Sequence, residues 1–127
     1  MAPRRKISVL VVDDSALVRQ TLSGILSADR EIRSVDVAAD PYIAMNKIKK
    51  HRPDVITLDV EMPRMDGFEV ARQVRHDERL ADLPIVMISS RTGEKHQEHA
   101  AELGVNSFLG KPFQENELLA TIDRLVD

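Results

Sequence analysis

Five times in succession the chain passes from a short apolar run into an amphipathic helical pattern, and few folds accommodate that alternation. Ile7 to Val12 is rich in β-branched residues and does not alternate, as expected of a strand buried on both faces. Val18, Leu22, Ile25 and Leu26 then recur at helical spacing, predicting a helix from Ser15 to about Ala28 with Asp14 or Ser15 as its cap. Ile32 to Ala38 does alternate, Val35 and Val37 against Ser34 and Asp36, so it reads as a strand buried on one side, at a sheet edge. Asp40-Pro41 supplies a cap and a first-turn proline for a helix to about His51, with Ile43, Ala44 and Ile48 inward and Lys47, Lys49 and Lys50 outward. Pro53 ends it.

The third strand, Asp54 to Asp59, runs into a loop marked by Pro63 and Gly67. Phe68, Ala71, Val74 and Arg75 belong to the next helix, which ends near His76. Pro84 introduces a fourth strand, Ile85 to Ile88, which stops at Ser89-Ser90. A helix from Thr92 or Gly93 to about Leu103 offers only Ala100, Ala101 and Leu103 to a core, and Gly104 ends it. Ser107 to Leu109 is a short fifth strand, followed by Gly110-Lys111-Pro112. The last helix, about Gln114 to Val126, carries a wide stripe of Leu118, Leu119, Ile122, Leu125 and Val126. Core packing accounts for most of it, with Leu119 or Val126 left partly exposed. The alternation implies an α/β fold: one doubly wound five-stranded parallel sheet, right-handed crossovers and helices on both faces.

At 127 residues the chain fits one domain, residues 7–127, behind a basic tail at residues 1–6. A formal charge of −3 gives no reason to expect nucleic acid or an anionic membrane as partner. Without cysteine there is no disulfide, thiol chemistry or cysteine-held metal. No apolar run approaches the ~20 residues of a membrane span, and the tail lacks the apolar segment of a secretory signal, so the cytoplasm is the expected compartment.

In a parallel sheet all carboxyl ends of the strands lie at one edge, where such folds bind their ligands. The first strand ends at Asp13-Asp14, the third at Asp59, the fourth at Ser89 and the fifth at Lys111. Taken singly, each is a helix cap, a turn residue or a surface lysine. Together they bring three carboxylates, a hydroxyl and an ammonium to one edge. Clustered carboxylates repel unless a cation joins them. An all-oxygen donor set favours a hard ion such as Mg²⁺, which accepts phosphate oxygens as well. The chemistry implied is phosphoryl transfer to or from a carboxylate.

Val9-Leu10-Val11-Val12-Asp13-Asp14-Ser15, Leu58-Asp59-Val60-Glu61-Met62-Pro63-Arg64-Met65-Asp66-Gly67, Ser89 and Lys111-Pro112-Phe113 together resemble the receiver domain of two-component response regulators. The first half is most similar to receivers of chemotaxis methylesterases. Phe68 to Glu117, with Arg91-Thr92-Gly93-Glu94-Lys95-His96, looks more like receivers fused to chemotaxis-type hybrid kinases. The resemblance implies the flavodoxin-like strand order 2-1-3-4-5. It implies Asp59 as phosphoacceptor for a histidine kinase or histidine phosphotransfer domain. Mg²⁺ would be held by Asp14, by Asp13 through water, by Asp59 and by the backbone carbonyl of Glu61. Lys111, in a cis Lys111-Pro112 peptide, would contact the phosphoryl group. Ser89 would be the switch hydroxyl and Phe108 the switch aromatic, without the hydroxyl of the commoner tyrosine. Glu61 would tune phosphoryl lifetime. The surface of the fourth helix, fifth strand and fifth helix would meet a downstream protein. Such a switch turns over no separate substrate. It reads either as a stand-alone receiver or as a fragment of a larger regulator, a methylesterase or a hybrid kinase.

Two other functions are weighed against this one. A haloacid-dehalogenase-like phosphatase needs an Asp-x-Asp nucleophile motif after the first strand, which Asp13-Asp14-Ser15 does not match. A flavin-binding carrier needs a phosphate loop there, whereas the adjacent acids repel phosphate, and one tyrosine with no tryptophan offers little stacking. His96 and His99, one turn apart, read as a solvated helix face, and Arg72 to Arg79 as a solvated face and loop.

Overall fold

The computed structural model describes residues 6–62 and 64–126. The expected basic tail, apart from Lys6, and the turn residue Pro63 lie outside the described residues, as does Asp127. Strands β1 (Ile7–Val12), β2 (Ile32–Ala38), β3 (Val55–Asp59), β4 (Ile85–Ser89) and β5 (Ser107–Gly110) alternate with helices α1 (Ala16–Ser27), α2 (Pro41–Lys50), α3 (Gly67–His76), α4 (Glu94–Glu102) and α5 (Glu115–Val126). All pairings are parallel, in the order β2-β1-β3-β4-β5. The alternating strand is the edge strand β2, and the continuously apolar ones lie inside the sheet, because only the inner strands are covered on both faces.

Alternate strand residues feed two cores. Leu10, Ile56, Leu58, Ile85 and Met87 meet Ala44, Met45 and Ile48 of α2, Val70, Ala71 and Val74 of α3, and Ala100 of α4. Val9, Val11, Val55, Val86 and Ile88 meet Leu22 and Leu26 of α1 and Leu118 and Ile122 of α5. Leu119, Leu125 and Val126 are half-buried against this second core, so most of the wide α5 stripe is packing. Thr57 is buried between Val55 and the sheet end, and its hydroxyl has no hydrogen-bond partner.

Helix starts follow the local chemistry. The Ser15 hydroxyl accepts from the Val18 N–H, Asp40 from Tyr42 and Ile43, and Asp66 from Glu69. Helix α4 begins at Gly93 with no side-chain cap and buries only Ala100. The expected core residue Ala101 is exposed, since one residue turns the helix by about 100° away from Ala100. Helix α2 corrects a second expectation. Ile43 is 47% exposed, and Met45 is buried instead. Pro41, Ala44, Met45 and Ile48 lie along one stripe at helical spacing, and Ile43 points to the opposite side.

The charge run from Arg72 to Arg79 is only partly a solvated face. Arg72 is exposed and pairs with Glu69 within its own helix. Arg75 instead ties three segments together. Its Nη1 donates to the carbonyls of Ala81 (3.1 Å) and Leu83 (2.7 Å), ahead of β4. Its Nε and Nη2 donate to Gly104 O (3.1 and 2.8 Å), and Nη2 also reaches Asn106 Oδ1 (3.0 Å), between α4 and β5. Gly104 lies at φ +80°, a backbone region that glycine enters without strain, and a Cβ there would sit 3.0 Å from Arg75 Nε.

Charge-assisted bonds to carbonyls are worth more than neutral ones, so Arg75→Ala is expected to lower unfolding free energy by about 2–3 kcal/mol in urea titrations. Arg72→Ala, which removes an exposed intrahelical pair, is expected to have little effect. Equal effects would show that Arg75 does not knit the three segments.

Candidate functional site

The carboxyl edge of the sheet brings together the acids, hydroxyl and lysine that the strand ends predict. Asp13 and Asp59 are buried, at 2% and 3% exposure, and Asp14 beside them is exposed. One carboxylate oxygen from each of the three lies within 4.8 Å of the others. Lys111 Nζ bridges the two buried acids, 3.0 Å from Asp59 Oδ1 and 3.2 Å from Asp13 Oδ2. The cluster resists slippage because each member is fixed by backbone. The Asp13 N–H donates to Ala38 O, Arg19 donates to the Asp13 carbonyl, and the Ser15 N–H donates to Asp13 Oδ1. The Lys111 N–H donates to Ser89 O at 2.9 Å, which knits the ends of β4 and β5, and Lys111-Pro112 is cis as the resemblance implies.

One ammonium does not balance this much negative charge. Burial first, and then the charge of Asp13 and the neighbouring Glu61 carboxyl, push Asp59 up to about 7, although Lys111 pulls the other way. Burial works to lower Lys111, but its bonds to Asp59 and Asp13 outweigh that and hold it above the ordinary lysine value. The oxygen donors, the short mutual distances and the uncompensated charge fit a metal cation at Asp13, Asp14 and Asp59. Among the described residues no other group of His, Cys, Asp and Glu meets that geometry.

The structure adds the orientation of Glu61, which the expectation of a backbone ligand and a tuning role leaves open. Its side chain, not only its backbone, belongs to the site. Glu61 Oε1 accepts from the Ser89 hydroxyl at 2.7 Å and from the Ser90 hydroxyl at 3.4 Å, with Arg91 Nε 3.8 Å away. Burial would raise the Glu61 pKa, but the bonds from Ser89 and from the Asp59 carboxyl outweigh it, and the group lies below the usual glutamate value. Ser89 Oγ in turn accepts from the Arg91 N–H at 2.9 Å. The signal was present in the sequence: Glu61 and Ser89 leave neighbouring strands at the same edge. Which way a loop carboxylate turns could not be read from spacing.

Gly67 was legible only as a turn marker. A Cβ there would lie 2.3 Å from the Asp59 carbonyl oxygen, so only glycine lets α3 start against the end of β3. The intervening loop is fastened to α2 by an Arg64–Asp40 ion pair, with Arg64 5.1 Å above the Tyr42 ring. Phe108 lies away from the carboxylates, half-buried against the α2–α3–α4 core. His96 and His99 are not simply solvated: both rings stack toward Phe68, His99 at a centroid distance of 4.2 Å and His96 at 6.4 Å.

Known proteins share this sequence pattern and fold. The family model described as response regulator receiver domain matches residues 9–123. A protein-glutamate methylesterase/protein-glutamine glutaminase of Hydrogenovibrio crunogenus is 51% identical over 109 residues, covering 84% of this chain and 28% of that protein. Its counterpart in Ralstonia nicotianae is 47% identical over 114 residues, covering 88% and 29%. The chain thus spans under a third of the length of these curated relatives. The chemotaxis response regulator CheY4 of Vibrio cholerae superposes with a TM-score of 0.86 at 38% identity, over 94% of this chain and 98% of that one. The response regulator domain of Thermotoga maritima CheB gives 0.85 at 33% identity, over 96% and 97%. The chain belongs to the response regulator receiver domain family and is a receiver of two-component signalling.

Proposed function

We propose that Asp59 is the phosphoacceptor of this receiver. The observation that carries the reading is the Lys111 bridge between two buried carboxylates, inside a cluster of three that fits a divalent cation. In this reading an Asp59 carboxylate oxygen attacks the phosphorus of a phosphohistidine on a histidine kinase or phosphotransfer domain. The phosphorus–nitrogen bond breaks, the histidine keeps the electron pair, and an acyl phosphate forms. Bound at Asp13, Asp14, Asp59 and the Glu61 carbonyl, Mg²⁺ would neutralise charge on the transferring group. Lys111 stays beside the new phosphoryl oxygens and offsets their charge.

Ser89 and Phe108 are the proposed switch pair, and Glu61 opposes the switch. Its carboxylate holds the Ser89 hydroxyl with a charge-assisted bond. A phosphoryl group on Asp59 competes for the same hydroxyl. Output passes through the α4–β5–α5 surface to a downstream protein. A second reading, the receiver portion of a larger regulator of the methylesterase kind, is favoured by the short span of those relatives that the chain matches. Asp59 has the same role in both.

Incubation with Mg²⁺ and acetyl phosphate is expected to add the mass of one phosphoryl group, and Asp59→Asn to abolish the adduct. An adduct that persists in the variant moves the acceptor elsewhere.

The raised pKa of Asp59 predicts a pH dependence. An unfolded aspartate titrates near 3.9, and the folded one at about 7, so the native state binds the proton more tightly between those values. Its contribution to stability is present at low pH and is lost as pH rises through 7. In EDTA, Asp59→Asn is therefore expected to raise Tm more at pH 8 than at pH 5. An equal gain at both would mean that Asp59 is already ionised at the lower pH.

Loss of the competing acceptor should favour the switched state. Exchanging a charged for a neutral acceptor is worth about 1 kcal/mol, so Glu61→Gln is expected to tighten binding of beryllofluoride, a phosphoryl mimic, about fivefold by fluorescence or NMR titration. Unchanged affinity would show that Glu61 does not restrain Ser89.

A further inference from the structure

The face of the sheet beneath α2 is not apolar throughout. Leu10, Val12 and Ala38 fill its carboxyl half, but the same alternation places Ser8, Ser34 and Asp36 toward the amino ends of β1 and β2. Helix α2 stops at Lys50 and leaves these polar positions uncovered. They floor an open cleft of about 630 Å³, inside the range of roughly 300–1,000 Å³ typical of small-molecule sites. Leu10 and Pro53 border it but are buried.

The walls are cationic. Arg33, Lys47, Lys50 and Arg52 line the cleft against the carboxylate of Asp36, and a second carboxylate, Asp54, accepts from the N–H and hydroxyl of Ser8 on its floor (2.8 and 3.2 Å), in a chain whose formal charge is −3. Lys47 answers Asp36 at 2.9 Å, and Arg52 pairs with Asp82 at 3.1 Å. Among the described residues, Arg33, Lys50 and the neighbouring His51 form no ion pair. Lysines in the last turn also offset the roughly half negative charge of a helix end. Lys49, outside the cleft, and Lys47 already serve that purpose. Arg33 owes nothing to the helix. The register of β1 and β2 shifts between Ile7–Ile32 and Ser8–Ser34, so Arg33 is the extra residue of a bulge. Bulges re-aim side chains, and Arg33 lines the cleft with Lys50.

We propose that this cleft binds a nucleotide-sized molecule bearing phosphate, with the phosphate held by Arg33 and Lys50. The site is at the amino end of the sheet, opposite the Asp59 cluster, and does not depend on the phosphoacceptor reading. The probes are ADP, pyrophosphate and adenosine, followed by calorimetry and amide NMR in EDTA, so that no divalent ion draws phosphate to the carboxylates. ADP and pyrophosphate are expected to saturate, with shifts centred on Ser8, Ser34 and Lys50. Arg33→Ala with Lys50→Ala is expected to weaken both by roughly tenfold or more. Lys49→Ala, on the exposed side of α2, is expected to leave them unchanged. Adenosine binding as tightly as ADP would overturn the phosphate assignment. Shifts confined to Asp13, Asp59 and Ser89, spread over the basic surface without saturation, or absent at millimolar probe would overturn the site.

Discussion

Two carboxylates with less than a twentieth of their surface exposed, held by one ammonium, set the terms for everything else at this edge of the sheet. Such a group is unfavourable unless its geometry is over-determined and its charge is met. The over-determination comes from the fold. Asp13 and Asp59 leave neighbouring central strands, and the lysine arrives on β5, whose end is bonded to β4. Burial first, and then the charge of Asp13, raise the pKa of Asp59 beyond what Lys111 offsets. A site of this kind sacrifices stability for reactivity. Its acid favours whatever brings positive charge.

The rest of the molecule supports that bargain unevenly. The inner strands and α3 supply dense packing, with Val55, Ile56, Leu58, Val70, Val74 and Val86 fully buried. Around the reactive edge the contacts are polar and exchangeable: a glutamate holding a serine, an arginine near the glutamate, a loop pinned by one ion pair and a ring. Rigid scaffold and labile rim are separate, so the rim can rearrange without disturbing the cores.

Much of this was legible from sequence, for identifiable reasons. Inner strands and the edge strand announce themselves by whether apolar residues run on or alternate, because burial on one or two faces dictates the pattern directly. The carboxyl-edge residues follow from parallel topology alone, which is why Asp13, Asp14, Asp59, Ser89 and Lys111 could be gathered before any coordinate was known. What escaped depends on direction. Ile43 and Met45 are both apolar and two residues apart, and the spacing of Pro41, Ala44 and Ile48 along one stripe decides between them. Arg75 looked like one more surface charge, because its acceptors are carbonyls in loops whose course no local pattern encodes. The Glu61 carboxylate and the Arg33 bulge share that difficulty: each depends on how a side chain or a strand turns within a few ångströms.

The Arg75 anchorage has a mechanical consequence. It fastens the carboxyl end of α4, through Gly104 and Asn106, to α3 and to the approach of β4. The other end of α4 starts at an uncapped glycine, and only Ala100 along its length is buried. A rod clamped at one end and loosely seated along its length behaves as a lever. Its fulcrum is the Leu103–Gly104 corner, and its far tip lies just past Ser89 and Arg91, where the Ser89 hydroxyl is held by Glu61. Any displacement of such a rod is largest at the tip beside Ser89 and smallest at the clamp.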